Sequence, residues 1–171
     1  NADVDLVLDY FEGNSDRVFS QRLFYNHFVC AMRADHPLMS ETLDIQSYSR
    51  AEHLLMSLSG DPTTYIDKIL KKNGYKRRVA MTVNHSSNLA SLLSGTQLIT
   101  SIPLPIIIDS VESGELAIQR LPFDLDPSPI SMSWHARHNS DPVLQWLRAR
   151  VLDVMQTKIL PPLAKYFEQK T

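Results

Sequence analysis

Cysteine occurs once in the 171 residues, at Cys30, so no internal disulfide can form. A reducing setting fits that, and we expect a cytoplasmic location. Glycine is scarce and scattered. Gly13, Gly60, Gly74, Gly95 and Gly114 stand too far apart for a phosphate- or dinucleotide-cradling loop, and no Gly-x-Ser-x-Gly elbow occurs. No apolar run approaches the roughly 20 residues that span a bilayer, and no signal peptide is present, so no membrane partner is expected. The net charge of −2 gives no general attraction to nucleic acid, and DNA contact would have to come from a local patch or another module. Metal-binding spacing is missing too. His135 and His138 flank the end of an expected strand, where the backbone would not aim both at one ion. Ser59, His85 and Asp61 can be put together as a hydrolytic triad, but helix capping explains Asp61 better. We therefore expect no catalytic residue, no metal and no cofactor, and the chain is read as not being an enzyme.

What is present is a soluble-type composition, 43% hydrophobic and 21% charged, in a chain long enough for one good core or two small lobes. Short apolar runs alternate with helical patterns. Val4–Leu8 reads as a buried strand, and Phe24–Met32 as a second, ended by Asp35-His36-Pro37. His53–Leu58, Arg78–Val83, Leu98–Ile102, Leu116–Leu121 and Ile130–Ala136 follow. Asp61-Pro62 is an N-cap and first-position pair opening a helix with an Asp67–Lys71 pair, stopped by Asn73-Gly74. Ser86 or Ser87 caps another, bearing Leu89, Leu92 and Leu93. Lys71, Lys72, Lys76, Arg77 and Arg78 read as ordinary cations around a helix end. His27 and His53 are expected in strands. Such alternation argues for α/β layers with mainly parallel strands, whose ligands sit at the carboxyl ends. Two strand–helix junctions there are rich in hydroxyls: Ser57–Thr64 and Val83–Ser87. Both are expected to face one cleft, which suits an anion or polar group.

The densest signal is Ile130–Arg148, a strand joined to a sharply started helix. Asp141 is the natural N-cap, Pro142 fits the first helical position, and Leu144, Leu147, Val151 and Met155 follow at helical spacing. Trp134 and Trp146 are expected as packing anchors. The helix is expected to stop near Ile159, because Pro161-Pro162 break it. Taken in order, Asp5-Leu6-Val7-Leu8, Asp35-His36-Pro37-Leu38, Gly74-Tyr75-Lys76-Arg77-Arg78-Val79, Leu98-Ile99-Thr100-Ser101-Ile102-Pro103 and Trp134-His135 through Trp146-Leu147-Arg148 resemble the effector-sensing domain of LysR-type transcriptional regulators. The flavour is that of the nodulation and aromatic-degradation regulators, and the resemblance runs from about residue 3 to 156.

That resemblance implies a two-lobed, periplasmic-binding-protein-like (type 2) α/β fold with two crossover strands. Residues 1–27 and 123–157 would form the first lobe, 28–122 the second, and 158–171 a C-terminal extension without functional account. The first lobe is expected to be incomplete, because about 40–50 residues of preceding βα units are missing, and the chain is expected to begin inside a longer protein. A small acidic or aromatic effector would bind between the lobes. His85, Ser86 and Ser87 are the leading contacts. Thr63 and Thr64 fall where some relatives place a pocket His, so only their hydroxyls are candidates, with helix capping as the plain alternative. Tyr10 and Phe11 follow the first strand, and Pro103 and Met132 resemble cleft walls. Implied partners are the effector, a second copy in a dimer or tetramer, DNA through an absent winged helix-turn-helix, and RNA polymerase. The alternative from another class is a solute-binding module of a transport system, which shares the lobed architecture.

Overall fold

Strands form where Val, Ile and aromatic residues cluster, and helices where a cap precedes apolar residues spaced three and four apart. The computed structural model describes residues 4–10, 17–57, 61 and 63–167. Strands β1 (Leu6–Tyr10), β2 (Val18–Asn26) and β3 (Phe28–Arg33) come first, then helix α1 (Ile45–Arg50), strand β4 (Glu52–Met56), helix α2 (Tyr65–Lys72) and strand β5 (Arg78–Val83). Helix α3 (Leu89–Ser94), strand β6 (Thr100–Pro103), helix α4 (Ile108–Glu112) and strands β7 (Leu116–Gln119) and β8 (Ser128–His135) follow. Helices α5 (Pro142–Val154) and α6 (Leu160–Phe167) end the described chain. Two compact units emerge, one of Asn1–His27 with Pro127–Thr171, the other of Phe28–Asp126. His27 stands at the break between β2 and β3 rather than within a strand.

In the second unit β3 is central, with β6 and β7 antiparallel on either side. Its run Val29-Cys30-Ala31-Met32 is buried on both faces, which is why it reads as continuously apolar. Cys30 and Met32 join Leu43, Tyr48, Ile66, Leu70 and Ile99 in one core cluster. Each fully buried Leu or Ile there contributes about 2 kcal/mol. Burial pushes the Cys30 thiol up to about 12, so it serves as packing and not as a nucleophile. The pair β4–β5 is parallel, and β4 is bridged in parallel to Ile99, just before β6.

The expectation of mainly parallel strands is corrected. Among the described residues four of the five ladders are antiparallel. A helical crossover returns the chain in the same direction, and that occurs only where α2 joins β4 to β5 and α3 leads from β5 back beside β4.

In the first unit β8 lies between β1 and β2, antiparallel to both. The first strand is not buried: Val7, Leu8 and Tyr10 are exposed, because β1 is an edge that pairs only with β8 among the described residues. Asp141 caps α5 as expected, accepting from the N–H groups of Val143 and Leu144 at 2.8 and 3.0 Å. Trp134 packs against Phe19, and the Arg148 guanidinium lies 4.5 Å from its ring centroid. Arg148 also donates to the Asn139 carbonyl at 2.9 Å, tying the turn before α5 to the helix. Trp146 is no anchor, being 63% exposed on the opposite face of α5.

The helix does not stop before Pro161-Pro162. A π turn, Met155–Ile159, follows α5, and α6 begins at Leu160. The Leu160 N–H donates to the Met155 carbonyl across the π turn, and the two prolines follow as the second and third residues of α6.

Candidate functional site

The carboxyl ends of β4 and β5 lie side by side, with the Ser57 N–H donating to the Val83 carbonyl at 2.9 Å. Beyond them opens a hollow of about 510 Å³, lined by Ser57, Thr82, Val83, Asn84, His85, Ser87, Asn88 and Leu92. That volume lies in the range of small-molecule sites. The lining follows from the local sequence. β5 ends at Val83, Asn84–Ser87 turns outward, and Leu89 and Leu93 pull α3 into the core. The N-terminal cap is Asn88, not Ser86 or Ser87, and it makes no side-chain capping bond. Ser86 contributes its carbonyl, which accepts from the Leu89 N–H at 3.0 Å.

Thr82, Asn84, His85, Ser87 and Asn88 are exposed and carry no side-chain hydrogen bond within the described chain. Their imidazole, amide and hydroxyl groups offer donors and acceptors, and among the described residues no carboxylate lines the hollow. A carboxylate or hydroxyl-bearing ligand would meet several donors and, among the described residues, no like charge.

The other hydroxyl-rich junction is built differently: its first residue, Ser57, borders the same hollow, while Thr63 and Thr64 do not. Thr64, not Asp61-Pro62, is the N-cap of α2. Asp61 accepts from the Thr63 N–H at 2.7 Å upstream of the helix, while Pro62, like Ser59 and Gly60, lies outside the described residues. Asp67 accepts from the Thr64 backbone N–H and hydroxyl at 2.7 and 2.9 Å. It pairs with Arg77 and not with Lys71: Arg77 Nε and Nη2 each donate to the Asp67 carboxylate at 2.9 Å. Arg77 Nη2 also donates to Thr64 Oγ1 at 2.9 Å. Thr63 borders a separate depression of about 500 Å³ beside Lys68, Lys71 and Lys76.

Arg77 is therefore no solvated helix-end cation. Its side chain is 1% exposed. Burial by itself would lower its pKa, but the bond to Asp67 and the nearby Tyr48 raise it, so it stays charged. Burial would likewise raise Asp67, and the Arg77 and Thr64 bonds outweigh that and hold its carboxyl below the usual range. On the same buried side the Tyr48 hydroxyl lies 2.7 Å from Ser101 Oγ, and burial pushes the Tyr48 phenol up to about 12. His53 Nε2 lies 2.8 Å from the Tyr48 carbonyl and donates to it, leaving Nδ1 without a partner. Burial lowers His53 to about 4, so the ring is neutral near pH 7. A sequence signal for this network existed in the Thr64-x-x-Asp67 capping box; nothing local marked Arg77 as its partner.

The remaining candidates are dispersed. Pro103 ends β6 opposite Phe28. Tyr10 is exposed on β1, in the first unit, and Phe11 lies outside the described residues. Met132 is fully buried in the middle of β8 between Leu8 and Gln21, so it packs rather than lines an open wall. Among the described residues no group of three His, Cys, Asp or Glu side chains is placed to hold a metal ion, and no helix is long and apolar enough to cross a membrane.

Residues 1–156 match the family described as the LysR substrate binding domain. The HTH-type transcriptional activator NahR of Pseudomonas putida is 28% identical over 154 residues, covering 90% of this chain and 51% of that protein. Nodulation proteins of rhizobia are among the other relatives. The chain spans about half the length of these curated relatives. The regulatory domain of MexT, a transcriptional activator of Pseudomonas aeruginosa, superposes with a TM-score of 0.72 at 26% identity, over 88% of this chain and 72% of that one. The effector binding domain of QuiR in complex with shikimate gives 0.66 at 15% identity, over 91% and 73%. The chain belongs to the LysR substrate-binding-domain family and has its two-lobed, type 2 periplasmic-binding-protein-like α/β fold.

Proposed function

We propose that this LysR-type substrate-binding domain senses a small effector in the hollow at the carboxyl ends of β4 and β5, with His85 and Ser87 as its main polar contacts. Asn84 and Asn88 supply further donors, and Ser86 shapes the turn. The single observation that carries this reading is the uncommitted state of those side chains around a hollow of about 510 Å³ that no carboxylate lines among the described residues. Donors without opposing acid among the described residues favour an acidic, carboxylate-bearing ligand, and the QuiR domain was captured with shikimate, one such acid. Val83 and Leu92 add apolar walls suited to a ring.

In this reading the domain does no chemistry on its ligand. It converts binding into regulation of transcription in a longer, cytoplasmic protein that holds DNA through a winged helix-turn-helix, self-associates as a dimer or tetramer, and signals to RNA polymerase. The physical requirement is differential affinity: the ligand must favour one arrangement of the domain over another, or it shifts nothing. The transport alternative gains no support, since the relatives named above are transcriptional activators.

Thermal unfolding of the chain with shikimate, benzoate and related acids tests the proposal. At a concentration about 100 times Kd a ligand stabilises by about 2.7 kcal/mol, which raises Tm by about 5–10 °C for a domain of this size. The shift should vanish in His85→Ala. A shift that survives in full in both His85→Ala and Ser87→Ala would place the ligand elsewhere.

A further inference from the structure

The effector reading leaves the buried Arg77 network unused, although three bonds of 2.9 Å fix its geometry. One guanidinium ties the start of α2 to the entry of β5. It grips Asp67 through two bonds of 2.9 Å and Thr64 through a third, at the start of α2. Near it lies the Tyr48 side chain of α1, whose hydroxyl meets Ser101 of β6. Arg77 itself directly precedes β5, the strand that runs up to the hollow. The connection that Thr64 ends begins at Ser57, which lines the hollow.

A buried ion pair is a poor way to gain stability, because desolvation offsets most of the attraction and a well-packed apolar pair often does as well. What the planar fork supplies is direction: two parallel bonds to a carboxylate fix angle as well as distance. We propose that Arg77 is a positioning residue for ligand binding, clamping Asp67 and Thr64 at the start of α2 to the entry of β5, the strand whose far end lines the hollow. This rests on the effector site lying at the ends of β4 and β5. Arg77 acts through Thr64 and Asp67 and does not touch the ligand.

The test compares the unmodified chain with Arg77→Lys, which keeps the charge and loses the fork, Arg77→Met, and Thr64→Val, which removes one hydroxyl. Circular dichroism establishes folding, amide hydrogen exchange reads Thr63–Asp67 against the β3 amides, and calorimetry reads affinity for shikimate and benzoate. In folded Arg77→Lys and Arg77→Met, exchange at Thr63–Asp67 should quicken more than at β3. Affinity should fall about tenfold, the size of coupling expected within one network. Lysine should not rescue, and Thr64→Val should lie between. If Arg77→Met does not fold, Arg77→Lys and Thr64→Val decide. Unchanged exchange at Thr63–Asp67, or unchanged affinity despite quickened exchange, overturns the proposal. Should the unmodified chain bind neither acid, the effector reading fails, and positioning for binding falls with it; exchange that still quickens selectively would then assign Arg77 a clamp for the fold alone.

Discussion

The two strand–helix junctions of the second unit look alike in sequence and differ in what their side chains are committed to. At Asp61–Thr64 the polar groups are spent: Thr64 and Asp67 cap α2 and close on the buried Arg77. At Asn84–Asn88 they are idle, arranged around an open hollow with no partner within the described chain. Hydroxyl-rich composition at a strand end thus does not mark a binding site. The useful distinction is whether another part of the chain has already satisfied those groups.

Removing Arg77 is the hardest way to break that comparison. Arg77→Met strands the Asp67 carboxylate in a largely enclosed place, and urea unfolding should show a loss of about 3 kcal/mol. The double change Asp67→Leu with Arg77→Met removes both charges and should recover most of it. A double variant as unstable as Arg77→Met alone would show that packing of the arginine stem, rather than the charge, dominates.

Next in size is acid. His53 binds a proton near pH 6.5 when unfolded but only near 4 when folded. Between those values the unfolded state carries more protons, so stability falls as pH is lowered from about 6.5 to about 4, by at most about 3 kcal/mol, and levels off below. The Asp67 pKa is shifted in the same direction, downward, and acts at lower pH. Its depressed folded value adds stability that is present above the ordinary carboxylate range and is lost only as pH falls through the folded pKa. Unfolding midpoints measured every half pH unit should therefore slope between 6.5 and 4 in the unmodified chain and flatten there in His53→Gln.

Thr64→Val removes one capping oxygen and one Arg77 acceptor, and should cost about 1 kcal/mol. The smallest stability effects belong to the idle junction. His85→Ala and Ser87→Ala should change unfolding free energy by less than about 0.5 kcal/mol, because these side chains support nothing inside the fold. Only the ligand-induced rise in Tm should respond. A large loss of stability in either would mean that the two junctions are alike after all.

Much of the fold was legible because its signals close locally. Asp141-Pro142 opened α5, Asn73-Gly74 ended α2 with Gly74 in the left-handed region (φ 81°), and Arg78–Val83 extended as a strand over the residues expected. The motifs spread from Asp5 to Arg148 were enough to resemble the family to which the chain belongs. Legibility failed where local rules compete. Asp61-Pro62 and Thr64-x-x-Asp67 are rival helix starts, and the second prevailed because Arg77 reinforces it. Pro161-Pro162 broke nothing: a π turn carries α5 directly into α6, which holds both prolines.

For the site, the sequence by itself brought His85 and Ser87 to the end of a strand, since that requires only a strand, a turn and a cap. Tertiary structure alone decided which polar groups were left over. The Arg77–Asp67 pair spans 10 positions, Tyr48–Ser101 spans 53 and Ser20–Ser133 spans 113. Caps and turns are bonded within a few residues and can be read in a short window. Burial, strand direction and the pairing of charges depend on partners that only the folded chain brings within 3 Å or so of one another.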